Sequence, residues 1–386
     1  MSTALVNSGV QFPDGSIQTT ASSGGTGFKN RMINGAMMVD QYAKGAPVIV
    51  NSSNAFSSVS SCVDMYGHQQ LAFASGNWGP AVMTSQQNLN NITPPPGFVN
   101  YLGYVVTTAD PSPSATTDYI IRGPVEELYT SDLGWGTASA KSVTVSFWVQ
   151  SNLTGTFGAH LCNRTPNNFY PFSYTITAAN TWQHVSITIP PDSAAIGNSN
   201  IIGLRMGWSL GLGSNFQSNS TGSWITANST NAAATVVGEQ QVCSAVGNTF
   251  YLTGVQIETG STATAFDYRP YPIELALCQR YAQRIGGTDA NEIIGFGNWV
   301  SASTATVVVQ LFSPMRSAET VLASTASTFC VGFGTIPCSS VALSVSGTRN
   351  IDVIISIPNG SQVPGTGCVL RANGTTSTYL LITSGV

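Results

Sequence analysis

Apolar and polar residues alternate with period two along several stretches of the chain, which is the pattern of a β-strand that buries one face. In the stretch SVTVSFWV, residues 142–149, one face carries Val143, Val145, Phe147 and Val149, and the other carries Ser142, Thr144, Ser146 and Trp148. The stretch WQHVSITIP, residues 182–190, places Val185, Ile187 and Ile189 inward. Many such strands of irregular length, separated by Gly, Asn and Ser turns, predict a jelly-roll β-sandwich over residues 30–270.

Residues 271–287 depart from this pattern and predict an amphipathic linker helix of about four turns at most. Pro272 suits the first helical turn, and Glu274 lies near the positive end of the helix dipole. Arg280 and Arg284 lie near the negative end, and Gly286-Gly287 is expected to stop the helix. The apolar stripe consists of Ile273, Ala276, Leu277, Tyr281 and Ile285. The helix either lies against its own sandwich or packs around a three-fold axis through Ile273, Leu277 and Tyr281.

The chain therefore divides into four parts, and its fold class is all-β with one short α-helix. Residues 1–29 carry a β-hairpin signal at Pro13-Asp14-Gly15, followed by a flexible joint at residues 22–27. The sandwich occupies residues 30–270 and the linker helix residues 271–287. Residues 288–386 alternate again, with Val307, Val309 and Leu311 on one face, and predict a smaller C-terminal β-domain.

Composition narrows the function classes. Only 8% of the residues are charged, against roughly 25% in ordinary globular proteins, and the net charge is −4. No Lys/Arg cluster is present, so no nucleic-acid partner is expected. No apolar run of membrane-spanning length and no secretory signal are found, so we expect neither membrane insertion nor a signal peptide.

The cysteines are expected to be mostly buried free thiols of a protein made in a reducing cytosol. The seven lie at Cys62, Cys162, Cys243, Cys278, Cys330, Cys338 and Cys368. They are widely spread, odd in number and without zinc-ligand spacing. Sequence leaves open whether Cys330 and Cys338 face each other across a hairpin.

Tryptophans are the candidate ligand-binding residues, because sugar C–H surfaces stack on aromatic faces while amides bind hydroxyls. The candidates are Trp78, Trp148, Trp208 and Trp224. Trp148 lies opposite the apolar face of its strand, and Trp78 and Trp224 lie in turn-rich segments, whereas Trp182 is expected in the core. The alternative for each tryptophan is packing in the core or between the sheets.

Catalysis is not expected. The one local cluster of acids, RGPVEELYTSD, contains Arg122, Glu126, Glu127 and Asp132, and structural ion pairing explains it better than a pair of glycosidase carboxylates. The histidines His68, His160 and His184 have no nucleophile context. No metal motif and no cofactor are predicted. A structural Ca²⁺ ion held by Glu258 and Asp267 is compatible with such a fold but is not required.

Four segments carry distinctive motifs: FPDGSIQTTA at 12–21, FKNRMINGAMMVDQ at 28–41, SDLGWGTASAKSVTVSFWVQ at 131–150, and FYLTGVQIETGSTATAFDYRPYPIELALCQRY at 250–281. Together they resemble tail-fibre and related adhesin proteins of bacterial viruses, in which a carbohydrate-binding-module-like jelly roll leads through an E-x-x-x-CQRY helix to a terminal β-domain. The resemblance covers residues 10–314. It departs at Tyr42, where the family often has a basic residue.

The resemblance implies a bacteriophage virion protein, made in the host cytoplasm, that acts as a homotrimer. It would join another virion protein through residues 1–29 and attach to a host-surface polysaccharide or other glycan. The alternative is a purely structural collar, head or baseplate fibre protein without its own receptor. Aromatics grouped on one exposed face favour the adhesin.

Overall fold

The structure, a computed structural model, describes residues 29–55, 63–68, 77–165, 167–228, 232–317, 325–332, 336–344 and 347–384. For residues 4–6, 9–11, 17–18, 320–323 and 345–346, only the backbone path is described. The predicted turn at Pro13-Asp14-Gly15, the joint at residues 22–27 and Cys62 lie outside the described residues. The fold class is all-β, as predicted.

Three short strands form a small N-terminal sheet in the order β1-β2-β3. They are β1 (Ala4–Val6), β2 (Gly9–Gln11) and β3 (Ile17–Gln18). All pairs are antiparallel, and β2 and β3 flank the predicted turn.

A jelly-roll sandwich of two antiparallel sheets follows. Its strands are β4 (Val48–Val50), β5 (Val82–Gln87), β6 (Leu102–Thr108), β7 (Asp118–Glu126), β8 (Val143–Ser151), β9 (Gly155–Asn163), β10 (Asn168–Ile176), β11 (Gln183–Ile189), β12 (Ile202–Leu212), β13 (Gln217–Ser218), β14 (Ile225–Thr226), β15 (Thr235–Val236) and β16 (Thr249–Thr259). One sheet has the order β11-β8-β16-β6-β5-β4 and the other β14-β10-β9-β12-β7. Strands β13 and β15 form a separate parallel pair.

The core lies between the two sheets and confirms the predicted strand faces. Val143, Val145, Phe147 and Val149 are fully buried on β8, and Val185 and Ile189 are buried on β11. Burying a side chain of this size stabilises a fold by about 1.5–3 kcal/mol, so this face fixes the register of β8.

Both outer faces are covered by loops. Residues 213–228 and 232–239 cover the five-stranded sheet with a second apolar cluster that includes Phe216 and Ala234. Residues 88–100 and 260–270 cover much of the six-stranded sheet, where Thr253 Oγ1 donates to Asn100 O (2.7 Å) and Thr144 Oγ1 donates to Gly260 O (2.8 Å).

A buried polar network ties the start of the sandwich to its last strand and to the helix. Asn30 Nδ2 donates to Val255 O on β16 (3.0 Å). Arg269 donates to the carbonyl oxygen of Asn30 and forms an ion pair with Glu274 (3.1 Å). Glu274 also accepts the backbone N–H of Asn34. Polar residues of the first motif in the sandwich, Asn30 and Asn34, therefore contact Arg269 and Glu274 of the last motif.

The helix is shorter than predicted. It spans α1 (Tyr271–Cys278), with Pro272 in its first turn, and the following segment forms strand β17 (Ala282–Gly286). That strand pairs with β26 (Tyr379–Thr383), so its hydrogen bonds come from a strand about a hundred residues later in the chain. The predicted helix end at Gly286-Gly287 is wrong, and Arg284 and Ile285 belong to the C-terminal domain.

The buried side of α1 also differs from the predicted stripe. Glu274 and Cys278 are buried, whereas Ile273 is exposed and Leu277 is half-buried. Tyr281 follows the helix and is buried within its own chain, with the Arg316 guanidinium 5.8 Å from its ring centre. Tyr281 is therefore unavailable for a seam between chains, which corrects that part of the prediction; a role of Ile273 and Leu277 in trimerisation stays a prediction.

The C-terminal β-domain has its own core. Its further strands are β18 (Ile293–Trp299), β19 (Thr304–Gln310), β20 (Thr320–Ala323), β21 (Phe329–Val331), β22 (Ile336–Pro337), β23 (Ser340–Ser346), β24 (Asn350–Ser356) and β25 (Gly367–Ala372). One sheet has the order β17-β26-β20 and the other β22-β21-β25-β18-β19-β24-β23. Val307, Val309 and Leu311 are buried together, as predicted.

The cysteines behave as predicted where they are described. Cys162, Cys243, Cys278, Cys330, Cys338 and Cys368 are buried and free. Cys330 lies opposite Pro337 in the register of β21 and β22. Cys338 is therefore offset by one residue and is not the direct cross-strand neighbour of Cys330.

The first testable prediction concerns Glu239, a buried acid under the loop that covers the five-stranded sheet. Its Oε1 accepts from Ser209 Oγ (2.6 Å), and burial raises the pKa of its carboxyl from 4.5 to about 7. Between these two pH values the folded state holds a proton that the unfolded state has lost, so stability falls as pH rises through this window and is level above it.

Glu239→Gln removes this titration while keeping a polar group next to Ser209 and Thr235. Between pH 4.5 and pH 7, we expect the free energy of unfolding of the parent to fall by roughly 2–3 kcal/mol more than that of the variant. Urea unfolding across this range measures the difference. Parallel curves for the two proteins would contradict the assignment.

Candidate functional site

Two of the four predicted tryptophans are corrected by their burial. Trp78 is 4% exposed; its Nε1 donates to Ala81 O (2.8 Å), and its ring meets that of Tyr119 edge-on. Trp208 is 0% exposed and lies on the inner face of β12, 5.7 Å from the Phe147 ring centre. Neither ring can stack on a ligand in this conformation.

Trp224 is partly exposed but packs into the edge of the sandwich. Its ring centre lies 5.3 Å from that of Trp135 and 5.4 Å from that of Tyr170, both of which are buried. Its Nε1 donates to Pro190 O (2.9 Å). The ring therefore covers the core at strand β14, away from the outer face of the six-stranded sheet.

Trp148 lies on that outer face, as its strand position predicts, and joins a larger aromatic group. The ring of His184, its cross-strand neighbour on β11, has its centre 5.2 Å away. Beside them the ring centres of Phe98, Phe266 and Tyr268 lie 4.8–5.5 Å from one another. Tyr268 is 53% exposed.

Gly254 joins these two sets of rings. It lies in the β-bulge of β16 with φ +63°, and a Cβ atom there would be 2.7 Å from Phe98 Cζ and 2.9 Å from Trp148 Cδ1. Glycine is required both for the backbone conformation and for the approach of the two side chains.

A second aromatic set continues the surface along the same sheet. Trp182, which immediately precedes β11, lies with its ring centre 5.7 Å from that of Tyr101 and 6.4 Å from that of Tyr251. Its Nε1 donates to Thr93 O (2.8 Å), and the ring is half-buried on the outer face rather than in the core, which corrects the prediction for Trp182. Asn90 Nδ2 donates to the Tyr251 hydroxyl (2.9 Å).

These residues form one aromatic cluster, which we term the aromatic band: Phe98, Tyr101, Trp148, Trp182, His184, Tyr251, Phe266 and Tyr268. Tyr101 and Tyr251 are its buried base, and the other rings are partly or more fully exposed. The register of β8 with β16 sets the order of side chains along the band. Trp148 lies opposite Thr253, and Gln150 lies opposite Tyr251. Only Trp148 was predicted. The Phe-x-Tyr spacing of Phe266 and Tyr268 is a local signal of a ring pair. The other members come from strands and loops that are distant from one another in the sequence.

Gln150 gives the band a polar group that lacks a partner. It is 6% exposed, and its Oε1 has no hydrogen-bond partner among the described residues. An unpaired buried amide oxygen costs about 1–3 kcal/mol, and a ligand hydroxyl group would relieve that cost. The site therefore combines partly exposed ring faces with a buried amide that has no partner among the described residues, and rings and amides are the groups that sugars bind.

Hydrogen bonds within the protein engage the carboxylates near this surface. Glu258 accepts from Gln256 Nε2 (2.8 Å) and from Thr264 N (2.8 Å). Asp267 accepts the backbone N–H groups of Lys29 and Asn30 at 3.0 and 3.1 Å. The two acids considered for calcium therefore have protein donors. Within the described residues, no group of three or more acids, histidines or cysteines could hold a metal ion.

The acids of the RGPVEELYTSD segment are structural, as predicted. Glu126 is buried and pairs with Arg280 (3.1 Å), and Asp132 pairs with Arg31 (2.7 Å). Glu127 accepts from Ser199 Oγ (2.6 Å). Arg122, in contrast, pairs with Asp118 rather than with these acids.

The two buried histidines, His68 and His160, are uncharged at neutral pH. Burial lowers the pKa of His68 to about 4 and that of His160 to about 3. Partial burial also lowers the pKa of His184. His68 Nδ1 is 2.7 Å from Ile120 O, and its Nε2 is 3.1 Å from the Tyr104 hydroxyl.

A cavity of about 210 Å³ lies where the sandwich meets α1. It is lined by Asn30, Arg31, Ile33, Tyr129, Arg269 and Leu277. Its two arginines are already bound to carboxylates, so we interpret it as part of the junction. Among the described residues, no helix is long and apolar enough to cross a membrane.

Comparisons with known proteins give distant similarities only. No family profile and no curated protein matches the chain. Among solved structures, a putative sugar binding protein from Bacteroides thetaiotaomicron is 8% identical with a TM-score of 0.28, over 60% of this chain and 100% of that one.

A family 11 carbohydrate-binding module from Clostridium thermocellum, in complex with a mixed-linked tetrasaccharide, is 11% identical with a TM-score of 0.24, over 56% of this chain and 96% of that one. The enzymatically active domain of tailspike protein 4 of bacteriophage CBA120 is 10% identical with a TM-score of 0.23, over 60% of this chain and 22% of that one. Similarity at this level does not identify a ligand.

The second prediction tests how the band is held. Gly254→Ala should lower the free energy of unfolding by about 2–3 kcal/mol, since it adds left-handed backbone strain to a clash with Phe98 and Trp148. Urea unfolding measures the loss, and a red shift of tryptophan fluorescence in the folded state reports displacement of Trp148.

The matched control is Gly247→Ala. Gly247 has φ +86°, and no atom lies within 4 Å of the place that a Cβ atom would take, so this variant carries the backbone strain alone. It should cost about 1 kcal/mol and leave the folded fluorescence unchanged. Equal losses in the two variants would show that the rings do not depend on Gly254.

Proposed function

We propose that this protein is a non-catalytic glycan-binding component of a bacteriophage virion that acts in attachment to the host surface. The observation that carries the proposal is the aromatic band, in which partly exposed rings lie on the same face of the sheet as the unpaired amide of Gln150. Rings of this kind bind the C–H faces of sugars, and the amide oxygen accepts a hydroxyl proton.

The ligand is expected to be neutral or weakly charged. The carboxylates next to the band, Glu258 and Asp267, are engaged by protein donors. The chain as a whole carries few charges. Binding should therefore change little with ionic strength, since screening acts on charged contacts.

The arrangement of the acids supports binding rather than hydrolysis. Glycoside hydrolysis requires two carboxyl groups facing the scissile bond across a few ångströms. Glu126, Glu127 and Asp132 are instead each bound to another protein group. The band itself offers rings and amides.

The virion and trimer parts of the proposal rest on the resemblance of the four motif segments to tail-fibre adhesins. A single shallow sugar site binds weakly, and three linked copies gain affinity through effective concentration. Attachment to another virion protein is assigned to residues 1–29.

One observation favours the alternative of a structural fibre without a receptor. The open face of the seven-stranded sheet carries exposed apolar side chains, with Phe296 62% and Val308 46% exposed and directly paired across β18 and β19. Such a face fits contact between copies of the chain and needs no ligand.

The third prediction is that variants of the aromatic band lose glycan binding. Tyr268→Ala removes an exposed ring of the band, and Gln150→Ala removes the unpaired amide next to it; each should weaken binding about tenfold or more. Gel retardation by soluble neutral polysaccharides and an array of bacterial surface glycans supply the probes. Blocking of virus adsorption to host cells by the purified protein tests attachment.

Trp224→Ala is the matched control, because it removes a partly exposed ring outside the band. It should leave binding within about twofold of the parent. Equal loss from Trp224→Ala and Tyr268→Ala, or adsorption that assembled protein never blocks, would favour the structural fibre.

The fourth prediction is that the chain assembles as a trimer through the open face of the seven-stranded sheet. Analytical ultracentrifugation should give three times the mass of the chain at micromolar concentration. Phe296→Asp should dissociate the assembly, because it buries a charge in an apolar contact. Asn298→Asp adds the same charge two residues away on the same face and should have a smaller effect. A monomeric parent protein would contradict the multivalent mechanism.

A further inference from the structure

The outer face of the five-stranded sheet holds arginine side chains that lack the partners a buried cation needs. Arg205 on β12 is 5% exposed, yet its guanidinium forms no hydrogen bond or ion pair with any described residue, and its Nε is buried. Arg122 on β7 is 1% exposed, and its Nε and Nη1 are also unpaired. Only its Nη2 contacts Asp118, at 3.3 Å.

The register brings these groups to one place. Arg122 is paired with Gly207 on β12, and Arg205 lies two residues before Gly207, so both side chains leave the same face of adjacent strands. On the other side, Arg205 is paired with Cys162 of β9. Arg164 follows β9 and donates to Asn167 Oδ1.

The charges in this region do not balance. Three guanidinium groups, those of Arg122, Arg164 and Arg205, lie within electrostatic reach of one another. The nearby acids are Asp118 and Asp192, and Asp192 is bound by the amides of Asn163 and Asn168. Among the described residues, no carboxylate contacts Arg205.

The neighbouring titratable groups do not compensate. Burial raises the pKa of the Cys162 thiol to about 11, so it is not a thiolate at neutral pH. Burial lowers the pKa of His160 to about 3, and its Nδ1 lies 2.7 Å from Ala234 O, so this ring is neutral. Burial, with Arg122 and Arg164, lowers the pKa of Arg205 to about 9, and the group stays charged at pH 7.

We propose that Arg205 and Arg122 form a binding site for a small oxyanion, such as sulfate, phosphate or the carboxylate of an acidic sugar. A guanidinium group donates in a planar fork that fits these oxygen atoms, and such charge-assisted bonds are about twice as strong as neutral ones. The anion supplies the charge and the acceptors that the described residues do not. This site is on the sheet opposite the aromatic band and does not depend on the proposed function.

The experiment follows thermal stability and calorimetric binding as sodium sulfate or sodium phosphate replaces sodium chloride at constant ionic strength. The parent protein should show a saturable rise in melting temperature. Arg205→Gln should bind sulfate about tenfold to a hundredfold more weakly. Arg205→Lys, which keeps the charge, should recover part of the affinity. Arg349→Gln, an exposed arginine of the C-terminal domain, removes the same charge and should bind like the parent.

A second readout separates a binding residue from a structural one. In chloride alone, Arg205→Gln and the apolar Arg205→Met should be at least as stable as the parent, because an unpaired buried charge has been removed. If both variants are less stable in chloride, or if sulfate stabilises parent and Arg205→Gln equally, the proposal is overturned. Competition by glucuronate or glucose 6-phosphate would assign the oxyanion to a sugar; competition by inorganic ions alone would assign a free ion.

Discussion

The buried pairing of Arg269 with Glu274 is the interaction on which the arrangement of the molecule depends. It holds the helix α1 against the backbone of Asn30 and Asn34, while Asn30 binds the last sandwich strand at Val255. Removing either charge would leave the other buried without an opposite charge, which costs about 3–5 kcal/mol. The contacts of Arg269, Glu274 and Asn30 thus hold the first residues of the sandwich, its last strand and the helix α1 together.

This network gives a physical reason for the motifs that the sequence displays. The polar residues of NRMING and FDYRPYPIE look like surface features when each segment is read alone. In the fold they meet each other, and Gly35 allows the Val255 carbonyl to come close to the backbone. A chain with so few charged residues buries several of them in pairs: Arg269 with Glu274, Arg122 with Asp118, and the Glu126 partner of Arg280.

Strand faces could be predicted from sequence because a period of two is a local property, and β8 follows it at every inward position. The end of α1 could not, since β17 becomes a strand only through its pairing with β26. Trp78 lies in a turn that predicts exposure, but its burial depends on Tyr119 from another strand. The aromatic band was missed for the same reason: Phe98, Trp182 and Phe266 converge from separate loops, and only Trp148 could be placed from its own strand.

The pairing of β17 with β26 brings together two strands of the C-terminal domain that are far apart in the sequence. Ser384 donates its backbone N–H to Tyr281 O (2.8 Å) and its Oγ to Arg280 O (3.0 Å), directly beside the junction. The contacts of Arg280 and Tyr281 with Ser384 and the pairing of β17 with β26 are therefore set by backbone groups and a few side chains at one place. Substitutions in loops of the C-terminal domain that lie far from these two strands would leave this junction and the aromatic band unchanged.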